Sequence, residues 1–419
     1  MVSTQFPDLF NRLGSLPDSR RRKEYSMAEA VSGALFMHIL RSGSRNAHNN
    51  GRREANFREN IYRYFGIALP HADSSDDVLR QLPPDEVEAL KAHLVSGLIE
   101  QKIFRKFRLF GKSYLVAVDA TGIASFGERH CGHCLTKTSK SGVVAYFHYV
   151  LEAKLVTSSG FAISIASEFV ENQPGRDFDK QDCEQKAFQR LALRIKKFFP
   201  RLPICLLADG LYPNNTVFDI CKKYGWGFII TLKDGSLRSF QEEVGLLMGS
   251  SQKRSVCKAS RYTRTSMEYR YLNNVDYGGR GFSWVECRET VYSLKGSPPV
   301  ETRFVYITNI SQSLGTVAET ADMGRLRWKI ENEGFNTQKN LGFELAHKFS
   351  RTSYPAMQNY YRLMQIAHMI VQLVEHARDV IGLKEEHSKQ TWVDLWKKTV
   401  ASLMFCLFEP DGWDYIEPG

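Results

Sequence analysis

Long apolar stretches are missing from this chain of 419 residues. No run of 18 or more apolar residues occurs, so no membrane-spanning helix is expected. Cysteine is scarce as well: eight in a chain this long make no disulfide framework, and a reducing cytosol fits them. The start, MVSTQFPDLF, has no basic segment followed by an apolar one, so no secretory signal is expected. Internal repeats, low-complexity tracts and a Gly-rich dinucleotide fingerprint are all lacking. Gly111-Lys112-Ser113 mimics the end of a phosphate-binding loop, but Lys106 stands where that loop needs glycine, which excludes a nucleotide site of that kind. No Ser/His/Asp arrangement has supporting context.

What is present is ordinary globular composition, 43% hydrophobic and 24% charged, at a length suggesting two or three domains. Lys and Arg number 56 against 46 Asp and Glu, a net charge of +10. That balance favours a polyanionic partner, because cations near phosphates release condensed counterions.

Residues 1–110 read as helical. MAEAVSGALFMHILR (27–41) and DEVEALKAHLVSGLIEQKIFR (85–105) space apolar residues by three and four. Basic groups cluster here (Arg20 to Lys23, Arg52-Arg53, Arg105-Lys106 with Arg108), either as solvated helix faces or as phosphate contacts. From Ser113 the texture changes to short β-rich runs: 113–120, 145–156 and 161–169, then a helix over 181–198, a strand at 204–209, a helix at 214–224 and a strand at 227–232. Three strands, helix, strand, helix, strand is a mixed α/β layout, the order of a ribonuclease-H-like core. Residues 233–310 read as a β-rich interruption. Its segment 251–283 carries seven basic residues, among them Arg261, Arg264 and Arg270, against two acidic ones, with Tyr262, Tyr269, Tyr271 and Tyr277 interleaved. Such a sheet suits backbone contact and base stacking, or is an ordinary solvated sheet with aromatic cross-strand pairs. Helix returns over 315–340, and 355–378 and 391–408 are helical and apolar enough to pack on the core.

Two aspartates end apolar runs, Asp119 in VAVDAT and Asp209 in LLADGLY. Each alone is readily a cap of the following turn. Together, on the first and fourth strands, they can lie side by side as an oxygen-rich site for Mg²⁺ or Mn²⁺. The segment RLRWKIENEGFNTQKN offers a third carboxylate: Arg327 and Glu331, four apart, share a helix face, while Glu333 lies well round from it and is held in reserve. Trp328 and Ile330 are expected to pack beside that face. HCGHC (130–134) is half a zinc site, with Cys131 and Cys134 as ligands and Cys183 or Cys205 as candidates to complete it; His148 reads as a core or surface residue. Asp177, Asp179, Asp182 and Glu184 read as charging a helix start, with a role in the metal site as the second reading.

At this point the chain resembles a DDE transposase of bacterial insertion sequences, in the group with a β-insertion and a Y-x2-R-x3-E-x6-K signature. VDATG (118–122), LADGLY (207–212) and RWKIENEGF (327–335) match its three acidic motifs, and SSDDVLR (74–80) resembles the short motif closing its helical N-terminal region. The resemblance covers roughly 75–351. It implies Asp119, Asp209 and Glu331 as catalytic residues and ligands of two Mg²⁺ or Mn²⁺ ions about 3.5–4 Å apart, Arg327 as the signature arginine, and Lys339, Lys348 and Arg351 near the DNA backbone. It further implies a helical DNA-binding region (1–110), a core (111–232), a β-insertion (233–312), a core helix (313–350) and a helical C-terminal region (351–419). Its partners would be double-stranded DNA, as terminal inverted repeats and target, bound by a homodimer on paired ends at the bacterial nucleoid. Gly324 replaces the signature tyrosine and Gln338 the signature lysine, with Lys339 one residue late; both changes bear on end processing through a hairpin. The competing expectations are a nuclease of the same fold that cuts without joining, and a DNA-binding protein without activity.

Overall fold

A computed structural model describes residues 2–172, 181–260, 263–293, 298–386 and 389–409. Helices α1 (Val2–Gln5), α2 (Leu9–Gly14), α3 (Met27–Ile39), α4 (Arg45–Arg53), α5 (Ala55–Phe65), α6 (Ala72–Gln81) and α7 (Pro84–Glu100) come first. Their starts are chemically marked: Ser26 and Glu29 form a reciprocal capping box on α3, and Pro84 opens α7. Then follow β1 (Tyr114–Phe126), β2 (Leu135–Thr138), β3 (Val144–Val156), β4 (Ala162–Val170), α8 (Glu184–Phe198), β5 (Ile204–Ala208), α9 (Asn215–Tyr224) and β6 (Gly227–Thr231). The segment read as an interruption holds α10 (Arg238–Leu247), β7 (Gln252–Ala259), β8 (Thr263–Asp276), β9 (Gly281–Ser293) and β10 (Val300–Thr308). The chain closes with α11 (Val317–Arg325), α12 (Thr337–Asn340), α13 (Tyr354–Glu375), α14 (Arg378–Glu386) and α15 (Trp392–Phe405). Among the described residues no helix is long and apolar enough to cross a membrane.

All ten strands join one mixed sheet, in the order β2-β3-β1-β5-β6-β10-β9-β8-β7, with β4 also on β3. β1, β5 and β6 run parallel; β3 and β4 run antiparallel to their neighbours. The β-insertion continues this sheet, because β10 pairs antiparallel with β6 (Tyr306 opposite Thr231). Its first expected strand is two strands, β7 and β8, folded back on each other.

Strand alternation divides the core in two. Tyr114, Val116 and Val118 join a cluster that includes residues of α2, α3, α7, α8 and α13. Leu115 and Ala117 join one with Val285, Tyr306, Val317, Ile330 and Phe335. The boundary near residue 110 therefore separates element types, not hydrophobic cores. A buried polar cluster ties the helices to the sheet. Glu88 of α7 accepts from Arg362 of α13 at 3.0 Å and lies 3.1 Å from Lys91. Lys91 donates to Ser164 and Ser167 of β4, and Tyr361 donates to Glu152 of β3.

Candidate active site

Register and parity bring the two aspartates together. Ala117 of β1 stands opposite Leu207 of β5 in the parallel pair, and each precedes an aspartate by two residues. Period two then puts Asp119 on the face of Leu115 and Ala117, and Asp209 on that of Cys205 and Leu207. Asp119 does not end its strand, as the sequence reading held: β1 runs on to Phe126 and pairs Asp119 with Glu152 of β3. It is the neighbour that stops, since β5 ends at Ala208. Asp209 closes a tight turn through Leu211 N–H (2.8 Å) and accepts from Lys233 Nζ (3.2 Å). Gly210 keeps that route open, since a Cβ there would meet the Lys233 stem at 2.5 Å.

Glu331 comes from the other side of the core. After α11 the chain tightens into a 3₁₀ turn (Leu326–Trp328) and then widens into a π-helical stretch (Ile330–Asn336), a form common at functional sites. Ile330 and Phe335 are buried against the sheet and anchor the stretch. Arg327, itself buried, donates from Nη1 to Glu331 Oε1 at 2.7 Å and lies 3.6 Å from Asp119 Oδ2. Glu333 points elsewhere and pairs with Lys329. Ile330 packs as expected, but Trp328 is half-exposed, its ring 4.4 Å from the Arg327 guanidinium carbon.

Negative charge is crowded here. Burial pushes the Asp119 carboxyl up to about 7; adjacent Glu331 adds to the rise, while the Ala120 N–H and Arg327 oppose it. Glu184, at the start of α8, is raised by burial and then by Asp209, and the Tyr212 hydroxyl lies 3.5 Å from it. Glu184 is thus a fourth carboxylate beside the site, the second of the two readings its acidic cluster offers. Asp182 of that group pairs with Arg190 at 2.6 Å, and Asp177 and Asp179 lie outside the described residues.

A cleft of about 720 Å³ opens over the site, lined by Asp209, Lys233, Arg303, Tyr306, Arg327 and Glu331. Gly324 explains part of its wall: a Cβ there would meet the Tyr306 ring at 2.8 Å and Ile229 at 3.0 Å. The residue at the signature tyrosine position is small because an aromatic ring from β10 fills the space. Gln338, at the signature lysine position, is fully buried and bonded to Gln365 and His368 of α13. Lys339 next to it is exposed.

The expected DNA contacts are scattered. Arg351 is exposed, and Lys348 rests with its ammonium 4.3 Å from the Phe126 ring centre. Arg264 is exposed on β8, Arg270 is held by Glu268 at 2.6 Å, and Arg261 and Tyr262 lie outside the described residues. Tyr269 and Tyr271 are buried on the alternate face of β8, so they are core residues and not stacking platforms. In the N-terminal region Arg20 is tied to Asp18 and Arg52 to the Leu69 carbonyl, while Arg105 and Lys106 are exposed.

Cys131 and Cys134 stand with His148 of β3: the sulfurs are 3.8 Å apart and lie 3.5 and 3.6 Å from Nε2. Among the described residues this is the one group of three or more metal-ligating side chains whose ligand atoms all fall within 4.8 Å of one another. The expected partners are elsewhere, Cys205 buried in β5 and Cys183 exposed before α8.

The sequence reading missed Lys233, Arg303 and Tyr306 in the cleft. Lys233 follows β6 and Arg303 sits in the insertion, with no motif to mark either. Comparison of the chain with protein-family models and with curated proteins returns no match.

Proposed function

We propose that the chain is a metal-dependent DNA-cutting and strand-transferring enzyme, a DDE transposase on a ribonuclease-H-like core. The observation that carries this reading is the placement of Asp119 and Asp209 on one face of adjacent parallel strands, with Glu331 brought against Asp119 from a separate helical segment. The element order β1, β3, β4, α8, β5, α9, β6 supports the ribonuclease-H-like reading.

The donor set fits a hard divalent cation: the ligand atoms are carboxylate oxygens, half-buried, and their charge is compensated by one buried guanidinium. Asp119, Asp209 and Glu331 would hold the Mg²⁺ or Mn²⁺ ions, which would supply charge neutralisation for in-line displacement at phosphorus. Arg327 orients Glu331 and Asp119. Lys233, paired with Asp209 at 3.2 Å, and Arg303, paired with Glu286 at 2.6 Å, are the cations on the cleft walls that a phosphodiester backbone would meet. Double-stranded DNA, as terminal repeats and target, is the partner, taken by a homodimer on paired ends.

The test uses purified full-length protein, Mg²⁺ and duplexes from the DNA flanking the reading frame. Joined products support the transposase. Cleavage without joining assigns a nuclease, and binding without either assigns a DNA-binding protein. Asp119→Asn, Asp209→Asn and Glu331→Gln should each abolish cleavage and spare binding, and full cleavage by any one removes that residue from the site. Ca²⁺ should support binding and little chemistry.

A further inference from the structure

The group Cys131, Cys134 and His148 belongs to none of the chemistry above, and its geometry is specific. Zinc bonded tetrahedrally to sulfur at about 2.3 Å and to imidazole nitrogen at about 2.0–2.1 Å requires ligand atoms about 3.8 Å apart for two sulfurs and about 3.5 Å for sulfur and nitrogen. The observed separations are 3.8 Å between the sulfurs and 3.5 and 3.6 Å from each to His148 Nε2. The three come from two different elements: the cysteines from the loop after β1, His148 from the middle of β3. Cys134 and His148 are buried, and the Asn172 side chain donates to the Cys134 carbonyl at 3.1 Å, fixing the loop from behind.

Two further imidazoles flank the group. His130 stacks on Phe126 with ring centres 4.1 Å apart, and His133 stacks on Tyr354 at 4.2 Å. Phe126 and Tyr354 both also meet the His148 ring, at 5.9 and 5.0 Å. The arrangement is a thiol pair and an imidazole in an aromatic shell, with two further imidazoles stacked on that shell.

We propose that Cys131, Cys134 and His148 bind one structural Zn²⁺, with His130 or His133 as the fourth ligand. Binding releases the thiol protons, and zinc takes two thiolates and neutral imidazole. The ion ties the 127–134 loop to β3 and steadies Phe126, the platform on which Lys348 rests. The proposal is independent of the proposed activity, and its readout is metal content.

The experiment measures zinc by elemental mass spectrometry in purified full-length protein, and the visible spectrum after replacement by Co²⁺. About one zinc per chain and the intense bands of tetrahedral thiolate-bound cobalt are expected. Cys131→Ser and Cys134→Ser should each lose the zinc and the bands. Of His130→Ala and His133→Ala, the one that shifts the cobalt spectrum identifies the fourth ligand. Should a cysteine variant fail to fold, the cobalt spectrum of the unaltered chain still decides. Protein with no zinc and no cobalt bands, or with Cys131 and Cys134 joined in a disulfide by intact mass, overturns the proposal.

Discussion

Arg327 donates to Glu331 at 2.7 Å, and the same nitrogen lies 3.6 Å from Asp119. A guanidinium with under a tenth of its side chain exposed thus stands between two carboxylates that repel each other. It holds the site together before any cation arrives and fixes which way Glu331 points.

Removing one negative charge should therefore stabilise the protein when divalent ions are absent. Asp119→Asn is expected to raise the unfolding free energy in EDTA by about 0.5–2 kcal/mol, and Arg327→Gln to lower it. Urea denaturation in EDTA measures both. A destabilised Asp119→Asn protein would mean that the carboxylates do not repel.

Gly324 can be tested against its neighbour. Gly324→Ala puts a methyl group 2.8 Å from the Tyr306 ring and should cost about 1–3 kcal/mol by overpacking. Tyr306→Leu in the same chain should recover part of that loss. Additive losses in the double variant would show that the two positions do not share the space.

The ion pair between Glu88 and Arg362 links α7 to α13 with both side chains buried. Arg362→Met leaves the buried Glu88 carboxylate without its α13 partner, held by Lys91 and the Ser167 N–H, and should cost about 3–5 kcal/mol. Replacing both partners by apolar residues should cost less than the single change. Denaturant midpoints of the three variants decide, and a milder single variant would contradict the expectation.

Two buried histidines predict acid sensitivity. Burial, with His48 and His347 nearby, lowers His38 to about 3, and burial, with Arg52 and His71, lowers His48 to about 4. In the unfolded chain both titrate near 6.5, so below that pH the unfolded state binds more protons. Stability should fall as pH drops from about 6.5 toward 4, by up to about 1.4 kcal/mol per pH unit for each histidine. His38→Met should flatten the slope by one proton, measured by denaturation at pH 7 and 5. An unchanged slope would mean that His38 is not held neutral.

Much of the architecture was legible because local patterns do not depend on partners. The apolar spacing of 27–41 marked α3, and the short β-rich runs marked β3, β4, β5, β6 and the start of β1 within a few residues, though not the extension of β1 to Phe126. The insertion was legible as strands, but the hairpin of β7 and β8, and the extension of the core sheet through β10, were not. Pairing partners lie far along the chain and leave no local trace. The tyrosines of the insertion show the same limit: their spacing was visible, but burial on the core face is decided by what packs there.

The sequence by itself determined the chemistry available: two aspartates ending apolar runs, a glutamate with an arginine four residues before it, and a pair of thiols three residues apart. Those are properties of residue type and short spacing. Only the tertiary structure decided the company they keep. Register set Asp119 beside Asp209, the packing of Ile330 and Phe335 on the sheet brought Glu331 and Arg327 to Asp119, Tyr306 took the space at Gly324, and β3 delivered His148 to the two cysteines. Each of those outcomes depends on contacts between segments tens to hundreds of residues apart, where side-chain volume and strand pairing, not local preference, select the neighbour.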